Sequence, residues 1–208
     1  MPATLTVPVI GPNPTALNEA VDRLYRLTVH QYDEMTKMGI LTEEDNVELL
    51  EGFILAKMTK HAPHIVATGL AQDVLASRLP QGWHVSIQDP ITTIDSRPEP
   101  DVKIVRGRRR DYLTRNATAV DVPLVIEVAD SSLPFDRRIK KRIYASADIS
   151  IYWIVNLNDR CVEVYENPTG PCDAPDYRKT IVFKENETLP LILLGQEVGR
   201  IEVGELLP

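Results

Sequence analysis

Cysteine is scarce in this sequence, with only Cys161 and Cys172 among 208 residues. A disulfide between them is weakly supported, because thiols in the cytosol are normally reduced. Long apolar runs are also missing, and none approaches the roughly 20 residues that a membrane helix needs. Residues 1–15 lack the basic stretch followed by an apolar stretch that marks a signal peptide. These absences predict a cytoplasmic protein without a membrane partner.

Several common catalytic motifs are absent as well. No Cys/His cluster has zinc-ligand spacing, and the four histidines do not form one. His64, at the start of a predicted helix, is more simply a cap or a buried contact. There is no nucleophile elbow, phosphate loop or dinucleotide fingerprint, which argues against a Ser-His-Asp hydrolase and against nucleotide binding through these motifs.

The net charge is −7, from 30 acidic and 23 basic residues. This balance counts against a surface that binds nucleic acid mainly through bulk charge. It still allows an enzyme with a local basic rim around an acidic metal site. Two basic runs, residues 106–110 and 137–142, could form such a rim, although solvated charge on a loop and on a helix is the simpler explanation for each.

The length and the 43% hydrophobic content predict one well-packed core. Residues 1–20 contain four prolines and little periodicity, which predicts an extended N-terminal arm. No internal repeat divides the remainder. We therefore expect a single domain over residues 21–208.

Hydrophobic periodicity and turn residues predict the secondary structure. A capping box at Thr28-Val29-His30-Gln31 begins a helix that ends near Gly39, and a hairpin follows over residues 47–58. Further helices are predicted over 64–79 and 136–147, and strands over 83–88, 91–94, 101–105, 122–128, 151–155, 161–165, 177–183 and 199–203. This order predicts an α/β (mixed α+β) fold with a mixed sheet packed by helices.

Two carboxylates, Asp101 and Glu127, are predicted on strands. Asp101 follows Pro98-Glu99-Pro100, and Glu127 lies near the end of the apolar run over 122–128. A carboxylate in an apolar strand needs a partner or a metal, because burying an isolated charge is very costly. Acidic side chains on neighbouring strands can bind Mg²⁺, which takes few protein carboxylates and keeps several waters. A buried ion pair between Glu127 and an arginine or lysine is the alternative.

Glu48 and Gln88 are further candidates for the same site. Glu48 alternates with Val47 and Leu49 in the hairpin and therefore points to the opposite face from them. A solvated glutamate is the commoner role in a hairpin. Gln88 could face the same cleft as Asp101 by strand alternation, although a solvated loop amide is about as frequent.

Lys140 lies in the predicted helix that begins at Asp136. Asp136, Lys140 and Tyr144 are four residues apart and share one face. An adjacent apolar stripe is formed by Phe135, Ile139 and Ile143. Lys140 is therefore expected beside the buried face, within reach of the strand end that carries Glu127. A lysine there can position an attacking water and stabilise charge on a phosphate, whereas an ordinary Asp136–Lys140 helix pair is the alternative.

An ordered series of segments resembles a known family. The segments are Leu27-Thr28-Val29 with Tyr32, residues 46–52, His64, Gln88-Asp89-Pro90, residues 98–102, residues 125–132, Asp136 with Lys140 and Tyr144, and residues 151–156. Each is weak alone, but their order over about residues 27–207 is specific. The chain resembles the Uma2 family (DUF820), a bacterial group assigned to the PD-(D/E)XK nuclease superfamily, also called restriction endonuclease-like.

The resemblance implies a restriction endonuclease-like fold, in which a mixed central sheet is flanked by helices. It implies that Pro100-Asp101 is the "PD" element and that Glu127 is the acidic member of "(D/E)XK". Two residues after Glu127, where the superfamily lysine would lie, this chain has Ala129. In this family the lysine is found on the following helix instead, which points to Lys140.

Together these observations predict an endonuclease that depends on Mg²⁺, with Mn²⁺ as a substitute ion. The predicted substrate is a nucleic acid, and DNA rather than RNA. Asp101, Glu127 and Glu48 are the expected metal ligands, Lys140 orients the nucleophile, and Gln88 supports the site. The alternative is a non-catalytic member that kept the fold and binds nucleic acid or protein. The acidic net charge and the missing strand lysine favour that alternative.

A homodimer is also predicted. Tyr152 and Trp153 lie in an apolar strand and are expected in the core or in a subunit contact. The strand over 161–165 and its partner would complete such a contact.

Overall fold

The structure is a computed structural model that describes residues 23–208. The helices are α1 (Val29–Lys37), α2 (Ala62–Arg78) and α3, which is α-helical over Leu133–Phe135, a π-helix over Asp136–Lys140 and α-helical again over Lys141–Ser146. Short 3₁₀ turns lie at Glu43–Asp45, Arg109–Tyr112, Ala119–Asp121 and Val203–Leu206. The predicted arm over residues 1–20 lies outside the described residues, and the single domain over 21–208 stays a prediction.

Six of the strands form a central mixed sheet. The strands are β1 (Val47–Leu50), β2 (Phe53–Ala56), β3 (Trp83–Ile87), β4 (Ile91–Thr92), β5 (Val102–Arg106), β6 (Ala117–Thr118), β7 (Leu124–Ala129), β8 (Ile151–Asn156), β9 (Cys161–Pro168), β10 (Tyr177–Lys184), β11 (Thr188–Leu193) and β12 (Gln196–Glu202). The central sheet has the order β10-β9-β8-β7-β5-β3. β7 and β8 are parallel and the other neighbours are antiparallel, which confirms the predicted mixed sheet flanked by helices.

The two faces of the sheet carry separate hydrophobic cores. α2 and the β11–β12 hairpin pack against one face, where Ile126 and Trp153 are buried. α3 covers the other face through Tyr144, which packs with Val125. Because side chains alternate along a strand, Glu127 shares the α3 face with Val125. All residues of β7 and β8 are buried, as expected for central strands covered on both sides.

The hairpin of β1 and β2 is fixed by its turn. Gly52 has a φ of +82°, and a Cβ at this position would lie 2.7 Å from the Cβ of Arg26. The Gly52 carbonyl accepts a hydrogen bond from the Leu27 amide at 2.8 Å, and the Gly52 amide donates to Asp95 at 2.9 Å. These contacts anchor the hairpin and hold the β1 residue Glu48 in place.

Several predictions for individual elements are confirmed. The Thr28 capping box begins α1, and Gly39 follows its end with a φ of +72°. Cys161 and Cys172 are free thiols. Tyr152 and Trp153 are 0% and 1% exposed, so they are core residues and cannot form a subunit contact. The homodimer therefore stays a prediction without that contact.

Several elements differ from the predictions. The strand expected over 91–94 covers only β4, which pairs in parallel with β6 outside the central sheet. β11 was not predicted, because Pro190 interrupts its strand pattern. The proline is tolerated because β11 pairs only with β12, so one edge of the strand needs no backbone donor. The helix expected from Asp136 begins at Leu133 and contains a π-helical turn. Within residues 23–208, no helix has the length and apolar composition for crossing a membrane.

Candidate active site

Asp101 and Glu127 meet where β5 and β7 run side by side. Val102 lies opposite Ile126 in the antiparallel ladder, and Asp101 directly precedes β5. The Asp101 amide donates to Glu127 Oε2 at 3.1 Å, and the Val128 amide donates to Asp101 Oδ2 at 3.0 Å. Each carboxylate is therefore held by a backbone amide of the neighbouring segment. The structure brings the two predicted acidic residues together.

The Asp101 carboxylate also contacts two basic side chains. His64 Nε2, in the first turn of α2, lies 3.0 Å from Oδ2, and Lys60 Nζ lies 3.1 Å from Oδ1. Burial alone would raise the pKa of Asp101. The hydrogen bond with His64, the Lys60 ammonium group and the Val128 amide outweigh burial, so the pKa is lowered overall. Asp101 therefore stays ionised at neutral pH.

Glu127 is enclosed by α3. The Tyr144 hydroxyl donates to Glu127 Oε1 at 2.7 Å, and Lys140 Nζ lies 3.5 Å from the same oxygen. Burial raises the pKa of Glu127 to about 8; Lys140 opposes this shift, whereas Asp101 and Asp136 add to it. A metal that binds this carboxylate must displace a proton near neutral pH.

Lys140 joins α3 to the hairpin. Its Nζ lies 2.7 Å from Glu48 Oε2, which also accepts the Glu99 amide at 3.1 Å. Burial would lower the pKa of Lys140, but the charges of Glu127 and Glu48 raise it overall, so the ammonium group stays charged. Glu48 is thus brought to the site, and its nearest charged partner is Lys140.

The polar face of α3 is buried at all three positions, whereas its apolar stripe is buried only at Ile143. Asp136, Lys140 and Tyr144 are buried, whereas Phe135 and Ile139 are half-buried. Lys140 itself therefore points inward, and its ammonium group lies 3.5 Å from Glu127, at the strand end that the spacing put within reach. π-helical turns are frequent at functional sites.

The alternative Asp136–Lys140 pair is not among the ion pairs within residues 23–208. Asp136 instead accepts a hydrogen bond from the Ser132 hydroxyl at 2.6 Å. Burial raises the pKa of Asp136 to about 6, opposed by this bond and by Lys140. Asp136 is therefore, after Glu127, a second buried acid with a raised pKa.

Gln88 lies at the rim of the cleft that contains these groups. Its side chain is exposed, and its φ of +53° turns the chain so that its amide donates to the carbonyls of Pro100 and Asp101 at 3.1 and 3.3 Å. The cleft has a volume of about 800 Å³ and is lined by Gln88, Asp101, Glu127, Glu48 and Lys140. All five predicted site residues therefore border one cleft.

The comparisons with known proteins decide the family. The sequence model of the Uma2 family, described as "Putative restriction endonuclease", matches residues 29–202. The chain belongs to the Uma2 family. This description supports a nuclease-like function at the level of the family.

A solved structure shares the fold of this Uma2 chain. It is described as a "putative nuclease belonging to DUF820" from Anabaena variabilis, and it matches with a TM-score of 0.64 at 17% identity. The match covers 86% of this chain and 97% of that chain. At this identity the likeness shows the fold alone. The comparison with curated proteins gives no significant match.

Sequence reasoning missed two basic groups of the Uma2 site. His64 was assigned to a cap or a buried contact; it is buried, and its contact is Asp101. Lys60 lies in the loop before α2, where no periodicity predicts the direction of a side chain. The one available signal was the position of His64 at the start of a predicted helix, with Lys60 four residues before it.

The carboxylates fit the requirements of Mg²⁺. No three His, Cys, Asp or Glu side chains of residues 23–208 converge as a ready-made metal centre. Mg²⁺ needs only one or two protein carboxylates, and Asp101 and Glu127 are adjacent and buried. Their charge is compensated by the ammonium groups of Lys60 and Lys140, which a divalent ion would partly replace.

The raised pKa of Glu127 predicts that the free energy of unfolding falls as pH rises. The pKa is about 8 in the folded protein against a reference value of 4.5, so between these values the folded protein binds a proton that the unfolded chain does not. The loss from this group is on the order of 1 kcal/mol per pH unit. Asp136 adds to the fall at the lower end of this window.

Urea unfolding in EDTA at pH 5 to 8 measures this effect. The Glu127→Gln variant should show a shallower fall of unfolding free energy with pH than the wild type. Equal slopes for the two proteins would contradict the raised pKa.

Proposed function

We propose that this Uma2 protein is a Mg²⁺-dependent endonuclease that hydrolyses phosphodiester bonds in nucleic acid, and in DNA rather than RNA. The observation that supports this most directly is the convergence of the Asp101 and Glu127 carboxylates with the Lys140 ammonium group in one cleft. Carboxylates from adjacent strands next to a cation suit a phosphate in the presence of a divalent ion. The family description agrees with this chemistry.

Asp101 and Glu127 would hold Mg²⁺ or Mn²⁺, and Glu48 would assist directly or through a water. When bound, the ion polarises the phosphoryl oxygen, lowers the pKa of a water and stabilises the leaving oxygen. His64 keeps the Asp101 carboxylate oriented and ionised, and Tyr144 fixes one oxygen of Glu127.

Lys140 would orient the attacking water and offset the negative charge that develops on the phosphate. The ion pairs of its ammonium group with Glu48 at 2.7 Å and Glu127 at 3.5 Å support this role, because they hold the cation beside the carboxylates. Gln88, exposed at the rim, would donate a hydrogen bond to the substrate from the mouth of the cleft.

One observation favours the second candidate, a non-catalytic member that binds nucleic acid or protein. Ammonium groups already lie against Asp101, Glu127 and Glu48, so the charge that would attract a metal is partly compensated. Calorimetric titration with Mg²⁺ and Mn²⁺ separates the candidates. Millimolar or tighter binding supports the nuclease, and the absence of binding supports the second candidate.

Incubation with covalently closed plasmid tests the endonuclease directly. We expect nicked and linear products with Mg²⁺ or Mn²⁺ and none in EDTA. A closed circle has no ends, so any product requires internal cleavage. Intact plasmid across metal ions and pH 6 to 9 would contradict the proposal.

A further inference from the structure

A second, smaller pocket adjoins the catalytic cleft. It has a volume of about 230 Å³, and Asp89 and Pro90 line both cavities. His84 and Ser86 of β3 and Lys103 of β5 also line it, so it lies at the β3 edge of the central sheet. Lys103 follows Asp101 by two residues, which places both side chains on the same face of the sheet. The pocket therefore continues the surface on which the candidate site lies.

Lys103 is a buried cation whose ammonium group has unused hydrogen-bond donors. The residue is 1% exposed, and its Nζ donates to the backbone carbonyl of Asp89. Among the ion pairs of the described part of the chain, none involves Lys103. An ammonium group has three donors, and burying its charge without an anion costs free energy.

The surrounding segment adds further positive charge. Residues 103–116 contain six lysines or arginines and one aspartate, in a chain whose net charge is −7. The Arg109 guanidinium group lines the pocket and donates to the Val85 carbonyl, which leaves most of its donors available. The pocket has one lining carboxylate, that of Asp89, which accepts a hydrogen bond from the Ser86 hydroxyl.

The two basic runs differ in how their charge is compensated. In the run over 137–142, carboxylates pair with Arg137, Lys140, Lys141 and Arg142. In the run over 106–110, Arg108 pairs with Asp111, whereas Arg106 lies over the Trp83 ring and Arg109 meets a carbonyl. The run beside the second pocket therefore keeps uncompensated positive charge.

We propose that the second pocket binds a backbone phosphate of the nucleic acid strand whose neighbouring phosphodiester lies in the catalytic cleft. This inference rests on the proposed nuclease function and adds a positioning role for Lys103 and Arg109. The oxygens of the phosphate accept hydrogen bonds from the Lys103 ammonium and the Arg109 guanidinium groups, as is usual for phosphate recognition. Because Asp89 and Pro90 line both cavities, a strand held here lies next to the cleft that contains Asp101 and Glu127.

Binding of a labelled DNA duplex in EDTA, followed by fluorescence anisotropy, tests the inference without cleavage. Lys103→Met and Arg109→Gln should each weaken binding by about tenfold and reduce the slope of log affinity against log salt by about 1. Arg109 is exposed, so its variant remains informative if Lys103→Met does not fold.

Arg178→Gln is the matched control. Arg178 is an exposed arginine that also donates to one backbone carbonyl, that of Pro168, but it lies on β10 at the opposite edge of the sheet. This variant should bind DNA as the wild type does. Wild-type affinity and salt slope in both pocket variants would overturn the inference.

Titration with inorganic phosphate separates the two sources of this anion. If the wild type binds phosphate but not DNA, and Lys103→Met abolishes the phosphate binding, the pocket is a site for free phosphate. That result would overturn the strand-binding proposal. A wild type that binds DNA but cleaves no plasmid would refute the nuclease. If the pocket variants of that protein lose DNA binding, the inference about the second pocket stands.

Discussion

Replacing Asp101 with asparagine is expected to lower the rate of Mg²⁺-dependent plasmid nicking by about 10³-fold, which corresponds to about 4 kcal/mol of transition-state stabilisation. Asparagine keeps the shape and an acceptor for the Val128 amide, whose bond to Asp101 measures 3.0 Å. It removes the negative charge that would hold the metal. Nicking rates and calorimetric Mg²⁺ binding should therefore fall together.

Asp73→Asn provides the control for this variant. Asp73 is exposed on α2, and the substitution makes the same change of charge outside the cleft. Its nicking rate should match that of the wild type. Equal nicking by the Asp101→Asn variant and the wild type would assign the activity to a contaminating nuclease and refute the proposed site.

Replacing Lys140 with methionine is expected to destabilise the fold by about 3–5 kcal/mol at neutral pH, because it leaves buried carboxylates without their cation. Lys140 is 5% exposed and compensates both Glu48 and Glu127. Methionine keeps most of the side-chain volume, so the loss reports charge rather than packing. The destabilisation should be larger at pH 9, where Glu127 is ionised in the wild type, than at pH 7, where Glu127 carries a proton. Urea unfolding at the two pH values measures both effects.

Lys141→Met is the matched control for Lys140→Met. Lys141 is the next residue of α3, and its ion pair of 2.8 Å is with Asp176, whose side chain is 53% exposed. Loss of this partly exposed pair should cost about 0–1 kcal/mol. A similar destabilisation by both substitutions would show that the buried charge cluster does not contribute in the way we expect.

The parts of the site that follow strand and helix periodicity could be predicted from the sequence. The apolar run over β7 makes Glu127 conspicuous, and Pro98-Glu99-Pro100 marks the entry of Asp101 into β5. The four-residue spacing on α3 selects Lys140. Each of these signals is local, so a single sequence contains it.

The contacts that depend on tertiary packing could not be predicted. Lys60 reaches Asp101 from a loop across 41 positions of sequence, and no pattern encodes that approach. A period of 3.6 residues does not reveal the π-helical turn that turns Lys140 inward. Lys103 was overlooked although alternation with Asp101 placed it on the same face, because a lysine in an apolar strand gives no sign of its partner.

The exchange of hydrogen bonds between Asp101 and the end of β7 has a consequence for how the site can change. The Asp101 amide donates a hydrogen bond to the Glu127 carboxylate, and the Val128 amide donates one to the Asp101 carboxylate. The spacing of the acidic pair is therefore set by the register of two central strands. The two carboxylates are therefore preorganised, and an ion that bound between them would need little movement of the strands that carry them. Basic side chains from loops and helices can therefore be exchanged around the pair, and the chemistry retuned, without rebuilding the pair itself.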